Sequence, residues 1–169
     1  MKILSEHLDS LRELYINQLR HMYSAETQIT EALPKMIENA TAPELKSSLE
    51  THLQETRGQV TRLDQILSRT QGAVKPKKNK GVDALIEEGE DVITDATDPA
   101  VRDAGIIAAA QKVEHYEIAA YGTLRRYAEI LNETQDAALL QQTLQEEKHA
   151  DEVLTSIADN ANRQADRAA

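Results

Sequence analysis

Acidic side chains occupy positions in this chain where the periodicity of a helix calls for apolar residues. In the first helical segment, Glu26 has Leu19 and Leu33 seven residues away on either side, with Met22 and Ile29 between them. Residues at such spacings share one face of an α-helix. Glu26 therefore interrupts an apolar stripe, and a carboxylate buried there must be protonated, paired or bound to a cation.

The other three long segments repeat this arrangement. Lines of apolar residues at seven-residue steps are interrupted near their middle by polar ones, namely His52 with Glu55 at the edge of the stripe, Glu114 with Glu117, and Glu147 with Asp151. All four long helices are thus predicted to carry a carboxylate or an imidazole on the buried side.

These stripes hold no lysine that could neutralise the carboxylates, and Arg62 lies only near their edge. Two divalent cations would supply the positive charge that four carboxylates require. Oxygen and imidazole ligands suit iron, manganese or zinc, and a carboxylate-rich site also suits magnesium. Because two-metal sites are built on the facing helices of bundles, we predict a site for two divalent ions, iron or manganese above all.

Simpler interpretations exist for each residue taken alone. A single inward Glu is often a misjudged helix phase, His52 alone fits a hydrogen-bonded core histidine, and Asp151 could pair with a neighbour. The joint occurrence on three helices favours a site. Tyr121 and Tyr23 are either partners of a ligand carboxylate or core tyrosines whose hydroxyls are satisfied elsewhere.

A literal Glu-x-x-His motif runs from Glu146 to His149. His149, however, shares its side of the helix with polar residues that mark a solvated face. We therefore favour Glu147 over Glu146 and leave His149 out of the predicted ligand set. His115 also falls off the central stripe, where a hydrogen bond near the site is its expected role.

Apolar residues spaced by three and four predict helices throughout. The expected bounds are Lys2 to Asn39, Pro43 to Thr70, Val82 to Ala96, Pro99 to Asn132 and Thr134 to Asn162. Pro34 is predicted to kink the first helix or end it near Leu33. A basic, solvated loop is expected from Gln71 to Gly81. Short loops make the first and last pairs of long helices antiparallel neighbours.

Composition excludes several classes of function. The net charge of −10 disfavours nucleic acid as a partner, and the absence of cysteine excludes disulfides and thiolate sites. No apolar run approaches the roughly 20 residues that a membrane span needs, and no secretory signal is visible at the N-terminus. We therefore expect a soluble cytoplasmic protein that binds neither nucleic acid nor membrane.

The chain resembles the YciF-like (YciE/YciF) bacterial stress proteins of the ferritin-like superfamily. The resemblance extends over nearly the whole chain and is carried by Tyr23-Ser24-Ala25-Glu26, His52-Leu53-Gln54-Glu55-Thr56, the stretch from Ala109 to Gly122, Leu144-Gln145-Glu146-Glu147-Lys148 and Asp151. The stretch from Ala109 to Gly122 is the most specific part.

The resemblance implies an all-α fold: a ferritin-like antiparallel four-helix bundle with a short extra helix between the second and third long helices. Residues 1–163 would form this single domain and residues 164–169 a frayed tail. It also implies a homodimer and a carboxylate-bridged two-metal site built from Glu26, His52, Glu55, Glu114, Glu117 and Glu147, with Asp151 as an addition. The second helix offers His-x-x-Glu where ferritins have Glu-x-x-His, and Gly58 and Ala150 stand where histidines would follow.

Three functions are open at this point. The first is a di-metal protein of the stress response that reacts with a small oxidant, dioxygen or peroxide. The second is a non-catalytic dimeric stress protein whose metal site is structural or vestigial. The third is iron storage or handling.

Overall fold

The computed structural model describes residues 8–70 and 77–167, which form five α-helices and no strand. The helices are α1 (Leu11–Asn39), α2 (Pro43–Arg69), α3 (Lys80–Asp95), α4 (Pro99–Ile130) and α5 (Thr134–Asp166). The predicted all-α bundle of four long helices with a short one in the long connection is confirmed. None of these helices is both long and apolar enough to cross a bilayer.

Two helical hairpins make up the bundle. α1 packs mainly against α2 and α4 mainly against α5, while α3 lies on α4 and α1. The turn between α4 and α5 is tight, and Asn132 adopts a positive φ of 61° there. Asparagine tolerates this left-handed conformation better than most residues, so a three-residue connection suffices.

Helix starts are set by side-chain caps, and one of them corrects the predicted start at Lys2. Ser10 accepts a hydrogen bond from Glu13 N at 3.2 Å, while the Glu13 carboxylate accepts one from Asp9 N at 2.8 Å. This reciprocal arrangement is a variant of the capping box in which Asp9, the residue before the N-cap, supplies the backbone donor, and it fixes the first turn of α1 at Leu11. Residues 1–7 of the predicted helix lie outside the described residues.

The short helix likewise begins two residues before the predicted start at Val82, because Asn79 caps it. Its side chain accepts hydrogen bonds from Gly81 N and Val82 N, both at 3.1 Å. The expected basic loop therefore ends at Asn79, and residues 71–76 of that loop lie outside the described residues. Asp98 caps α4 in the same manner, and α4 begins at Pro99, the predicted first residue.

Two long helices run further than their local signals suggest. Pro34 does not end α1, which continues to Asn39 with Met36 buried beyond the proline. Apolar burial there offsets the backbone hydrogen bond that proline cannot make. α5 continues to Asp166, so residues 164–166 of the expected frayed tail are helical, and Ala161 near this end is buried.

Asp103 of α4 joins the two hairpins. Its carboxylate accepts hydrogen bonds from Thr41 N at 2.8 Å, Thr41 Oγ1 at 2.6 Å and Ala42 N at 2.7 Å. These groups belong to the short connection between α1 and α2. The contact holds the end of the first hairpin against the start of α4 and so sets the alignment of the helices that carry the inward polar residues.

Gly105 allows α3 to approach α4 closely. A Cβ placed at this position would lie 2.2 Å from Val92 Cγ1, whereas a Cβ at Gly122 on the same helix would meet nothing within 4 Å. A methyl group at Gly105 would therefore lower the free energy of unfolding through steric overlap, whereas one at Gly122 would not. Both positions lie in a helix, where alanine has a higher propensity than glycine.

We expect Gly105→Ala to destabilise the fold by about 1–2 kcal/mol, because overpacking outweighs the gain in helix propensity. Gly122→Ala should be neutral or stabilising by up to about 1 kcal/mol. Urea unfolding at equilibrium measures both. Adding Val92→Ala should restore part of the loss in Gly105→Ala. Equal effects of the two glycine substitutions would contradict the close packing of α3 on α4.

Candidate metal centre

Four buried side chains from three helices converge in the middle of the bundle. His52 of α2, Glu114 and Glu117 of α4 and Glu147 of α5 each place one potential ligand atom so that all four atoms lie within 4.8 Å of one another. All four residues were predicted from the helical stripes. Such separations let one cation contact several of these atoms at once.

Glu26 of α1 adjoins this cluster from the remaining side of the bundle. It is fully buried, and Tyr121 Oη donates a hydrogen bond to Glu26 Oε1. The Glu26 and Glu117 carboxyl groups lie within hydrogen-bonding reach of each other. Tyr121 therefore takes the predicted role of a partner for a ligand carboxylate, whereas Tyr23 is half-buried against the apolar core.

Several carboxylate oxygens in and beside this cluster receive no hydrogen bond from the protein. When the carboxylates are deprotonated, no donor among the described residues reaches Glu26 Oε2, Glu114 Oε2, Glu147 Oε2 or either carboxylate oxygen of Glu117. Buried polar atoms in native proteins are nearly always satisfied. Leaving several of them bare within one small volume is what a cation-binding centre requires, since a cation takes the place of the missing donors.

Burial has shifted the proton affinity of every carboxylate here in the same direction. It raises the pKa of Glu26 from 4.5 to about 7 and that of Glu114 to about 8. Burial, followed by the charges of neighbouring carboxylates, raises the pKa of Glu117 and Glu147 well above the usual range. The carboxylates must then either hold protons or gain a cation.

His52 presents a neutral imidazole to the cluster. Its Nε2 lies 3.4 Å from Glu114 Oε1, and burial lowers its pKa from 6.5 to about 4. A neutral ring has a lone pair available for a metal ion at neutral pH. Nδ1 of His52 has no hydrogen-bond partner among the described residues.

Gln59 is a site residue that the sequence argument missed. Its Nε2 donates to Glu147 Oε1 and to Glu146 Oε2, the latter at 3.2 Å. Arg62 forms an ion pair with Glu146, and its Nε donates to Thr143 Oγ1 at 3.0 Å. Gln59 lies seven residues after His52 on the same line, and this shared face is the signal that could have identified it.

The remaining predicted residues lie around the cluster. Glu55 is half-buried one turn after His52. Asp151 is also half-buried, and it accepts from Gln111 Nε2 at 3.1 Å and lies 3.2 Å from His115 Nε2. His149 is exposed, as expected. The structure therefore brings together His52, Glu114, Glu117 and Glu147 with Glu26 adjoining, and pairs Asp151 with neighbours instead.

These residues fit a centre for divalent metal. The donor set consists of carboxylate oxygens and one neutral imidazole, and the surrounding residues supply Tyr121 and Gln59, which are neutral donors. Arg62, the cation closest to the site in the sequence argument, is engaged by Glu146. Carboxylate and imidazole donors suit iron, manganese and zinc.

The raised pKa values predict how the metal-free protein responds to pH. Between pH 4.5 and about 8, folded Glu26 and Glu114 hold protons that the unfolded chain has lost. Stability from this source is therefore complete below pH 4.5 and is lost as pH rises through the folded pKa values.

We expect the melting temperature of metal-free protein to fall by about 5 °C or more between pH 5 and pH 8. Glu117→Gln should flatten this dependence, because an amide carries no charge to bury. Calorimetry of both proteins after chelation tests this. A melting temperature that rises between pH 5 and pH 8, or an identical fall in Glu117→Gln, would contradict the conclusion that the buried carboxyl groups hold protons in the metal-free protein.

Comparison with known proteins gives the family. Residues 10–166 match the family described as a domain of unknown function, DUF892. Protein YciF of Escherichia coli strain K12 is 42% identical over 165 residues, which cover 96% of this chain and 99% of that protein.

Solved structures agree. The crystal structure of the E. coli stress protein YciF matches with a TM-score of 0.88 at 42% identity, covering 92% of this chain and 99% of that one. YcfI from Rhodopseudomonas palustris, provisionally described as a structural protein, matches with a TM-score of 0.86 at 41% identity, covering 90% and 98%. A Xanthomonas campestris protein at 22% identity, covering 89% and 92%, shares the fold with a TM-score of 0.73.

The sequence motifs, the five-helix bundle and these matches together show that the chain belongs to the YciF-like (DUF892) stress protein family.

Proposed function

We propose that this chain is a carboxylate-bridged di-metal protein of the bacterial stress response, which holds iron or manganese and reacts with dioxygen or peroxide. The stress role follows the description of the E. coli relative as a stress protein. The protein would be a homodimer, as the family resemblance implies, rather than the many-chain cage that iron storage requires, and its composition favours the cytoplasm.

The observation that carries the proposal is the set of bare carboxylate oxygens in the core. Glu26, Glu114, Glu117 and Glu147 have oxygens that no described donor reaches. Glu114, Glu117 and Glu147 each place one oxygen within 4.8 Å of the others, and the Glu26 carboxyl group lies within hydrogen-bonding reach of Glu117. An unpaired buried carboxylate costs several kcal/mol, roughly, even after the surroundings relax. Two divalent cations would balance these four carboxylates, with His52 as a neutral ligand.

Iron or manganese in such a centre supplies redox chemistry toward small oxidants, because the ion can change oxidation state. The chain's own residues orient the ligands and exclude water. Tyr121 holds Glu26, and Gln59 holds Glu147, so two carboxylates keep a free oxygen directed to the centre.

The clustered carboxyl groups can also hold protons. The raised pKa of Glu114 lets it hold a proton near neutral pH, and it lies within hydrogen-bonding reach of Glu147. Binding of a cation would release such protons, so metal affinity should increase with pH. His52 stays neutral because burial lowers its pKa to about 4.

A second candidate function is a non-catalytic bundle stabilised by its metal. The provisional description of the R. palustris relative as a structural protein favours this alternative. The same residues would then hold the ions, and the centre would contribute to folding without turning over a substrate.

Metal content tests the centre itself. Protein purified without a metal-affinity tag should contain about two iron or manganese ions per chain by elemental mass spectrometry. Glu117→Gln should lose most of this metal, because it removes a buried anionic ligand without changing the side-chain shape. Glu152→Gln, an exposed substitution on α5, is the matched control. Equal metal in both variants would argue against the centre.

Peroxide consumption separates the two candidate functions. Metal-loaded protein should consume hydrogen peroxide at least about tenfold faster than Glu114→Gln at equal protein concentration, because the variant weakens the centre that performs the redox step. Glu88→Gln, exposed on α3, should react like the parent chain. If loaded parent protein melts at a higher temperature than metal-free protein yet consumes no peroxide, the structural role replaces the catalytic one.

A further inference from the structure

An open groove runs between α2 and α5 on the side of the bundle where His52 comes closest to the surface. It measures about 590 Å³. Ser47, Ser48 and Thr51 line it from α2, and Val153 and Ile157 line it from α5. The groove is therefore a cleft between two of the helices that carry predicted ligands, rather than a depression on one of them.

His52 is the point where this groove meets the buried centre. It belongs to the four-residue cluster and also lines the groove, although the residue is only 6% exposed. Its Nδ1 has no hydrogen-bond partner among the described residues. A buried imidazole with one nitrogen free, lying between a cleft and a carboxylate cluster, is placed to pass a cation from one to the other.

Glu55 and His149 line the groove together with His52. Glu55 is half-buried on α2, His149 is exposed on α5, and both line the groove. Burial raises the pKa of Glu55, as does the charge of Glu146, while His149 lowers it. The carboxylate and the imidazole are thus close enough to influence each other, and the two groups are ordinary ligands of divalent metal.

Four other cavities among the described residues offer no comparable opening. One of about 20 Å³ touches His52 and Glu114, but its lining is apolar side chains of α1, α2 and α4. The larger ones lie at the ends of the bundle or beside Asn79 and touch none of the clustered ligands.

We propose that divalent metal ions reach the buried centre through the α2–α5 groove, and that Glu55 and His149 hold each ion in transit before His52 receives it. This inference rests on the proposed metal centre and adds the route by which that centre is filled. The half-buried Glu55 then acts outside the four-residue cluster. His149, which the helical stripe excludes as a ligand of the bound metal, acts as a ligand only during entry.

The test is the rate of metal uptake, with Co²⁺ as the probe because its visible absorption reports coordination. Chelated, dialysed protein is mixed with Co²⁺ in a stopped-flow instrument, and cobalt content is measured separately at equilibrium. Ser48→Phe fills the groove one turn before His52, and His149→Ala removes the transit imidazole. Ser68→Phe and Glu50→Gln, both exposed positions of α2 outside the groove, are the matched controls.

We expect uptake to slow by about tenfold or more in Ser48→Phe and in His149→Ala, with equilibrium cobalt equal to that of the parent chain. A normal rate in Ser48→Phe would overturn the route, and a normal rate in His149→Ala would overturn the transit site. Lower equilibrium cobalt in His149→Ala would make it a resident ligand and also overturn the transit site. If the parent chain binds no cobalt at equilibrium, the proposed centre itself fails. His149 is exposed, so its removal keeps the test decisive if Ser48→Phe does not fold.

Discussion

Charge buried without a protein counter-charge is the constraint on which the rest of this structure depends. Glu26, Glu117 and Glu147 are fully buried, and Glu114 is nearly so. Their immediate protein donors are the neutral groups of Tyr121 and Gln59. A neutral donor satisfies one oxygen but leaves the charge, so the core is stable only when protons or cations complete it.

The four long helices offset the cost of burying these carboxylates by placing apolar layers above and below them. Leu19 and Leu33 lie one heptad to either side of Glu26, and Leu140 and Leu154 do the same for Glu147. Side chains at these spacings fill the bundle above and below the polar layer. The apolar layers supply the free energy of folding and also keep water from the carboxylates, which is why burial dominates the shifts in their pKa values.

How much the sequence could predict depended on how far each residue lay from the middle of a stripe. Glu26, Glu114, Glu117 and Glu147 are flanked by apolar residues at heptad spacing, and their joint occurrence on three helices predicts that they point inward. Glu55 lies at the edge of its stripe, where a small rotation of the helix decides between cluster and surface, and periodicity does not determine that rotation. Asp151 has the same heptad spacing as Glu147, and its pairing with Gln111 and His115 depends on tertiary contacts that periodicity does not contain. The start of α1 at Leu11 could have been read from the Ser10-x-x-Glu13 capping box, which is a local signal. The end of α1 at Asn39 was predicted from the apolar spacing, whereas Pro34 left open an end near Leu33, and the burial of Met36 in the tertiary structure decides between the two.

A core that binds cations must exclude water, yet ions must be able to enter it. The bundle meets both conditions because its helix interfaces differ. α4 and α5 pack along their length and supply three of the four clustered ligands from a closed interface, whereas α2 and α5 diverge into a groove. His52 lies at that groove, and it is the one clustered ligand that carries no charge when it is deprotonated. A neutral imidazole needs no counter-charge of its own, and it still offers a lone pair to an ion at the groove. The carboxylates lie deeper, where the low dielectric constant strengthens their attraction to a bound cation. The uncharged ligand therefore lies beside the groove, and the ligands that balance the charge of a cation lie in the dry interior.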